Sequence, residues 1–287
     1  HEFLPNGDVS VWFKDRNTKE WQNLQTKVLV DASGCERQVL AHSVKPQNKT
    51  LPATGIEYLV EVKPEIYQKY ANAISVFMGH KWMPQGYSWI FPMEPNKLKV
   101  GVGRYFQNDN YVPHHKSYHY YIDVMMKKCL GGTDLPILDK HGKTILYTYK
   151  QKDPYYERNV IAIGDSISSI NPLAFEGIRH AMVSGRTAAK HIVERINGNT
   201  DNFEGYVTDM RRYFGFKWSL CELLMNVIYK EPRDKRIDRM IETFRRFSMD
   251  EMLDLAFRYK LGVAIKFLLG YMIISSVRAI KNLLQRS

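Results

Sequence analysis

NVIAIGDSISSINPLAFEGIRHAMVSGRTAAKHI, running from Asn159 to Ile192, decides the fold of this 287-residue chain. Val160 to Ile163 is a short, β-branched, wholly apolar run, which predicts a parallel strand covered on both faces. It stops at Gly164, where the missing side chain frees the backbone and lets a ligand approach it. Asp165 then sets a carboxylate at the strand's carboxyl end, the edge at which open α/β sheets bind ligands. Gly177 opens a segment in which Ile178, Ala181, Met182, Gly185, Ala188, Ala189 and Ile192 recur at helical spacing. The unpaired N–H groups of such a helix would face the loop and attract electron-rich groups. A strand, loop and helix of this kind also occur with no ligand, and the Gly-Asp pair alone does not separate the two readings.

Over about thirty positions this stretch resembles the second FAD fingerprint of the flavoproteins that include p-hydroxybenzoate hydroxylase-like monooxygenases and geranylgeranyl reductases. The resemblance implies an FAD site built from Gly164, Asp165, Pro172, Gly177 and Ile178, with Asp165 on the ribityl chain and Pro172 and the helix start beside the isoalloxazine ring. Reductases of the group usually read Pro-Leu-x-Gly-Glu-Gly here. This chain has Pro172-Leu173-Ala174-Phe175-Glu176-Gly177. A Phe in the glycine position is expected to crowd the flavin or to impose another loop path.

Two further segments bear on the reaction. Lys27 to Cys35, KVLVDASGC, reads as a second buried strand ending in a small-residue turn, and its Ser33-Gly34 is similar to the Asp-Ala-Thr/Ser-Gly of the reductases. Pro84-Gln85-Gly86-Tyr87-Ser88-Trp89-Ile90-Phe91-Pro92 resembles their Pro-x-x-Tyr-x-Trp-x-Phe-Pro lipid-contact motif. Tyr87, Trp89 and Phe91 alternate, so on a strand they share one face. Alternation alone is equally that of an ordinary aromatic sheet face. The resemblance makes the three residues the substrate contacts for a prenyl lipid, which offers area rather than hydrogen bonds. It implies hydride transfer from reduced FAD to an isoprenoid double bond, with NADPH or another donor supplying the electrons. An FAD-dependent monooxygenase, a lycopene-cyclase-like flavoprotein and a non-catalytic lipid-binding remnant are the alternatives. No catalytic acid is assigned: Tyr87, Glu176 and His180 lie in or near the motifs, Glu176 also suits a cap or salt bridge at the helix end, and His180 reads as a surface side chain.

The Gly-x-Gly-x-x-Gly turn that opens a dinucleotide-binding βαβ unit is missing from the sequence. Gly101-Val102-Gly103 lacks the third glycine and follows a strand without opening a helix. The chain is therefore expected to be the carboxyl-terminal part of a flavoprotein, binding FAD poorly alone, with a separate chain as one possible source of the ADP-binding segment. Cys35, Cys129 and Cys221 form no CxxC pair, so neither a disulfide framework nor a zinc site is indicated. His114, His115 and His119 are read as a polar surface loop rather than a metal site.

A net charge of +11 calls for an acidic partner, and its cations crowd the last third. No nucleic-acid module accompanies them. Leu261 to Val277, LGVAIKFLLGYMIISSV, is apolar but interrupted by Lys266, which suits a helix lying in an anionic membrane interface, or one packed on its own domain, better than a span. The expected location is cytoplasmic, peripheral to a membrane.

The predicted fold is α/β (α+β overall): an incomplete FAD-binding Rossmann-like domain, an inserted antiparallel sheet and a helical carboxyl-terminal region. The expected divisions are 1–45 (hairpin and strand of the FAD domain), 46–150 (substrate sheet, with one helix near His115 to Cys129), 151–200 (flavin segment) and 201–287 (helical).

Overall fold

The computed structural model describes residues 1–40, 50–105, 116–231 and 233–284. In chain order its strands are β1 (Glu2–Phe3), β2 (Val9–Lys14), β3 (Trp21–Thr26), β4 (Leu29–Asp31), β5 (Thr50–Glu61), β6 (Ser75–Met78), β7 (Gly86–Pro92), β8 (Lys97–Tyr105), β9 (Ile137–Thr148), β10 (Tyr156–Glu157) and β11 (Val160–Ala162). Its helices are α1 (Pro64–Gln68), α2 (Tyr118–Met125), α3 (Ile178–Ile196), α4 (Glu204–Tyr229), α5 (Asp234–Phe244), α6 (Met249–Ala256) and α7 (Leu261–Leu284). They fall into two compact units, 1–53 with 145–225 and 54–144 with 226–287.

The first unit holds an antiparallel meander of β1, β2 and β3. Its first turn lies at Pro5–Asp8, where the Gly7 N–H donates to Leu4 O (2.9 Å) and the Leu4 N–H to Asp8 O (2.8 Å). A second sheet has the order β10-β11-β4, with β11 parallel to β4 and Val160, Ile161 and Ala162 facing Leu29, Val30 and Asp31. All three residues of β11 are fully buried, as a parallel strand with covered faces requires. Across them lies α4, whose Tyr206 hydroxyl donates to Ala162 O (2.8 Å) and whose Met210 and Phe214 are buried, as is Phe203 just before it. Gly215 interrupts α4 with non-helical angles (φ 46°, ψ −145°) that a side chain would resist.

The second unit is built on a five-stranded sheet of order β6-β7-β8-β5-β9. Alternate residues of its strands, Tyr58, Val60, Ile90, Leu98, Val100 and Val102, form one core with Tyr121, Ile122 and Met125 of α2. The helix starts at Tyr118 because Ser117 caps it, its Oγ accepting the Tyr120 N–H (3.1 Å). Past Met125 it widens into a π-turn and stops at Gly131 (φ 90°). His119 thus stands on a helix, hydrogen-bonded to the Tyr58 hydroxyl, rather than in a loop; His114 and His115 lie outside the described residues.

Helices α5 to α7 belong to the same unit. Asp234, at the start of α5, accepts from His80 N (2.9 Å) and pairs with His80 Nδ1 (2.7 Å), just past β6. Ser248 and Glu251 form a reciprocal capping box on α6. α7 rests on α5, Phe267 stacking on Phe244 with 4.4 Å between centroids. Among the described residues no helix is long and apolar enough to cross a membrane.

Candidate functional site

The β11 strand ends where the sequence places its turn. Gly164 adopts φ +62° and its N–H donates to Ser184 Oγ of α3 (2.8 Å). A Cβ at Gly164 would lie 3.4 Å from Ala181 Cβ and would be strained besides, so strand end and helix meet through a bare backbone. Asp165 lies in the 3₁₀ turn that follows, its Oδ1 accepting from Ser169 Oγ (3.4 Å). A Cβ on Gly177 would stand 3.6 Å from that same oxygen. The carboxylate and the start of α3 are therefore neighbours, although twelve residues of sequence part them. Pro172 is buried, Gly177 caps α3 with no side-chain bond, and Ile178 is exposed.

Asn171 shapes the loop between them. Its N–H donates to Glu176 O (2.8 Å), its carbonyl accepts the Phe175 N–H (3.0 Å), and its Oδ1 accepts the N–H groups of Leu173 (2.8 Å) and Ala174 (3.0 Å). Phe175 is held at φ +55°. The loop thus takes a left-handed backbone at the position where the resembling reductases carry glycine, and Phe175 bears it at a cost of about 1 kcal/mol.

Glu176 caps and pairs at the helix end. Its Oε1 accepts the Arg179 N–H (3.2 Å) and its Oε2 pairs with Arg179 Nη2 (3.0 Å) and His180 Nε2 (2.7 Å). His180 corrects the surface reading: it is fully buried, edge-on to Trp218 (4.6 Å), with Nδ1 2.7 Å from the Tyr213 hydroxyl. The side chain turns inward because α4 covers that face of α3. Burial, opposed by Glu176 and reinforced by Arg179, pushes its pKa down to about 4. A neutral ring satisfies both neighbours when Nε2–H donates to Glu176 and Nδ1 accepts from Tyr213. The folded form therefore binds fewer protons than the unfolded one between about pH 6.5 and pH 4. Stability is full above that window and falls as pH drops through it, by up to ~1.4 kcal/mol per pH unit. Urea midpoints at several pH values across it should show this slope in the native chain and a flatter one in His180→Gln.

Two buried charged groups outside the motif assignments complete the site. Asp31, at the end of β4, accepts from Ser33 Oγ (2.6 Å), Ser33 N (3.0 Å), Leu40 N (2.8 Å) and Ser166 Oγ (3.3 Å). Burial alone would raise its pKa, but the hydrogen bonds from Leu40, Ser33 and Val39 outweigh it and the carboxyl is held below its ordinary value. Arg37 is buried as well, bonding to Asp153 (3.0 Å), Cys35 O (3.1 Å), Leu146 O (3.0 Å) and Ser168 Oγ (2.9 Å). Together they clamp the Ser33–Gly34 turn to the turn that carries Asp165. The Asp-Ala-Ser-Gly string was the available signal for Asp31; Arg37 had none, since Asp153 is 116 residues away.

The aromatic triplet lies in the second unit. Tyr87, Trp89 and Phe91 share one half-buried face of β7, with centroids 5.7 Å and 6.0 Å apart, while Ser88 and Ile90 point into the core. Trp89 lies over glycines of neighbouring strands: a Cβ on Gly101 would be 2.2 Å from its ring, on Gly103 3.4 Å and on Gly55 3.6 Å. Gly101-Val102-Gly103 is thus part of β8, paired with β7, and no nucleotide turn. The Trp89 Nε1–H donates to Glu57 (2.7 Å), which also pairs with Lys99 (2.9 Å) and His141 (3.3 Å), so the face has a polar margin. Burial raises the Tyr87 hydroxyl pKa well above its ordinary value and keeps it protonated.

Residues 54–141 match the geranylgeranyl reductase catalytic domain. The chain is 29% identical over 189 residues to the digeranylgeranylglycerophospholipid reductase of Sulfolobus acidocaldarius, covering 62% of this chain and 39% of that protein. Against the Haloferax volcanii protein of the same name it is 27% identical over 248 residues, covering 82% and 60%. A crystal structure of a geranylgeranyl bacteriochlorophyll reductase-like protein from Thermoplasma acidophilum superposes with a TM-score of 0.71 at 18% identity, over 88% of this chain and 61% of that one. That likeness shows the fold. The chain spans roughly half the length of the curated relatives it matches, from 39% to 60% for these two.

Proposed function

We propose that this chain, related in sequence and in fold to the geranylgeranyl reductase-like flavoproteins, forms the flavin-contacting and lipid-contacting parts of an FAD-dependent prenyl-lipid reductase. The observation that carries this reading is the convergence of Gly164, Asp165 and Gly177 at the carboxyl end of a parallel strand, where a Cβ on either glycine would touch its neighbours. These residues fit FAD. Asp165 would hold hydroxyls of the ribityl chain, and the positive end of the α3 dipole would lie toward an electron-rich ring edge. When bound, FAD supplies hydride for reduction of an isoprenoid double bond. Tyr87, Trp89 and Phe91 would give an isoprenoid tail contact area.

The ADP-binding segment would be supplied from outside these residues. Two features of the first unit support this: β4 is the edge of its sheet, and the face of α3 bearing Ile178, Met182, Val193 and Ile196 is exposed. Parallel sheets are otherwise covered on both faces. The proposed electron donor is NADPH or another reductant.

The test is flavin retention. The chain, alone and supplemented with a relative's amino-terminal segment, is incubated with FAD, desalted and examined by visible absorption. The supplemented form should stay yellow, and Asp165→Ala should lower its retention about ten-fold, the loss of one charge-assisted contact. A colourless supplemented protein would count against the flavin reading, and undiminished colour in Asp165→Ala against the role of that residue.

A further inference from the structure

Helix α7 has two unlike sides. Ala264, Phe267 and Ile274 are buried, and Gly270 approaches Thr243 of α5 so closely that a Cβ would meet its methyl at 3.2 Å. On the other side Ile265, Leu268, Leu269, Met272, Ile273 and Val277 recur at helical spacing and are each about half exposed, Ile273 reaching 60%. Of the charged residues in α7 whose side chains are described, Lys266 is the one that borders this face. Six large apolar side chains in one stripe are far from the scattered exposure ordinary at a protein surface. Beside the stripe a groove of about 400 Å³ runs between α5 and α7, lined by Thr243, Arg246, Phe247, Ile265, Lys266 and Leu269 among others.

We infer that this face of α7 docks on an anionic lipid bilayer, with the groove taking part of one lipid chain below its charged head group. Charge selects the occupant. From Phe244 to Leu284 the sequence has seven Lys and Arg against three Asp and Glu, and α7 itself contains no carboxylate. Lys266 pairs with Glu251, and Arg258 and Lys260 share Asp254, so an excess of cations stays at the border of the stripe. A second copy seated on the same face about a two-fold axis would bring like charges together. A bilayer meets both needs, since its hydrocarbon receives the stripe while its phosphates receive Arg246 and Lys266. With 24 residues at about 1.5 Å each, α7 offers some 36 Å of contact when it lies in the interface. The inference does not depend on flavin chemistry, and its test needs none.

The experiment is flotation of the 287-residue chain with vesicles of phosphatidylcholine alone and of phosphatidylcholine mixed with phosphatidylglycerol. Binding is expected to the mixed vesicles and to weaken with salt. Leu269→Asp and Ile273→Asp replace exposed side chains, so helix content by circular dichroism should be unchanged while partitioning falls at least ten-fold. Lys266→Gln should weaken it about five-fold. Equal binding of native chain and aspartate variants, equal binding to uncharged vesicles, or a dimer by light scattering that Ile273→Asp splits while no vesicle binding occurs would each overturn the inference.

Discussion

Replacing Gly86 with alanine is expected to cost about 3 kcal/mol or more and to disturb the whole β7–β8 pair. The Cβ would lie 1.8 Å from the carbonyl oxygen of Gly103 and 2.7 Å from the Arg104 Cα, both backbone atoms of the facing strand. Gly86 pairs with Arg104 and Tyr87 with Gly103, so relief requires the two strands to part at the point where the aromatic face begins. Gly101→Ala makes a useful contrast. Its obstacle, at 2.2 Å, is the Trp89 ring, a side chain that can turn if it gives up its bond to Glu57. Urea unfolding followed by tryptophan fluorescence should rank Gly86→Ala as the more damaging. A loss below about 1 kcal/mol would show that the strands do not approach this closely.

The other large effect belongs to Asp153. Removing its carboxylate in Asp153→Ala leaves the Arg37 guanidinium buried with carbonyl and hydroxyl partners but no counter-charge, for an expected loss of about 3–5 kcal/mol. Asp153→Asn keeps an acceptor for Arg37 and for the Thr148 hydroxyl, which now donates to Asp153 Oδ1 (2.7 Å), and should lose less. Arg37→Met combined with Asp153→Ala should recover part of the loss, because the buried charge is then absent. Thermal unfolding of the four proteins decides. If the double variant is no better than Asp153→Ala, the pair is not coupled as the distances indicate.

Local spacing carries its information well in this chain. The β11 run and its terminal Gly-Asp are contiguous in sequence, whereas β4, expected as a second buried strand, is the edge of the sheet with Val30 exposed, and its parallel register with β11 is set by the fold rather than by either run. The alternation of Tyr87, Trp89 and Phe91 likewise fixes a shared face before any partner is known. What spacing does not encode is which side of an element meets the rest of the chain. On α3 the apolar residues Ile178 and Met182 lie outward, while the buried positions are Ala188 with His180, Ser184 and His191, three polar residues no hydrophobic pattern would select. The Asp31 and Arg37 clusters are hidden for a related reason: each is assembled from segments more than a hundred residues apart, and the individual residues carry no sign of their partners. The polar margin of the aromatic face, Glu57 with Lys99 and His141, is likewise drawn from three strands.

The loop at Asn171 has a consequence for how such chains are found. Four hydrogen bonds from a single asparagine set the bend, and Phe175 conforms to it although glycine would do so more easily. Shape is stored at one address while the letters around it can drift. A search keyed to glycine at position 175 would pass over this chain, whereas one keyed to an asparagine six residues past a strand-ending Gly-Asp would retrieve the same curve from sequences that no longer spell it.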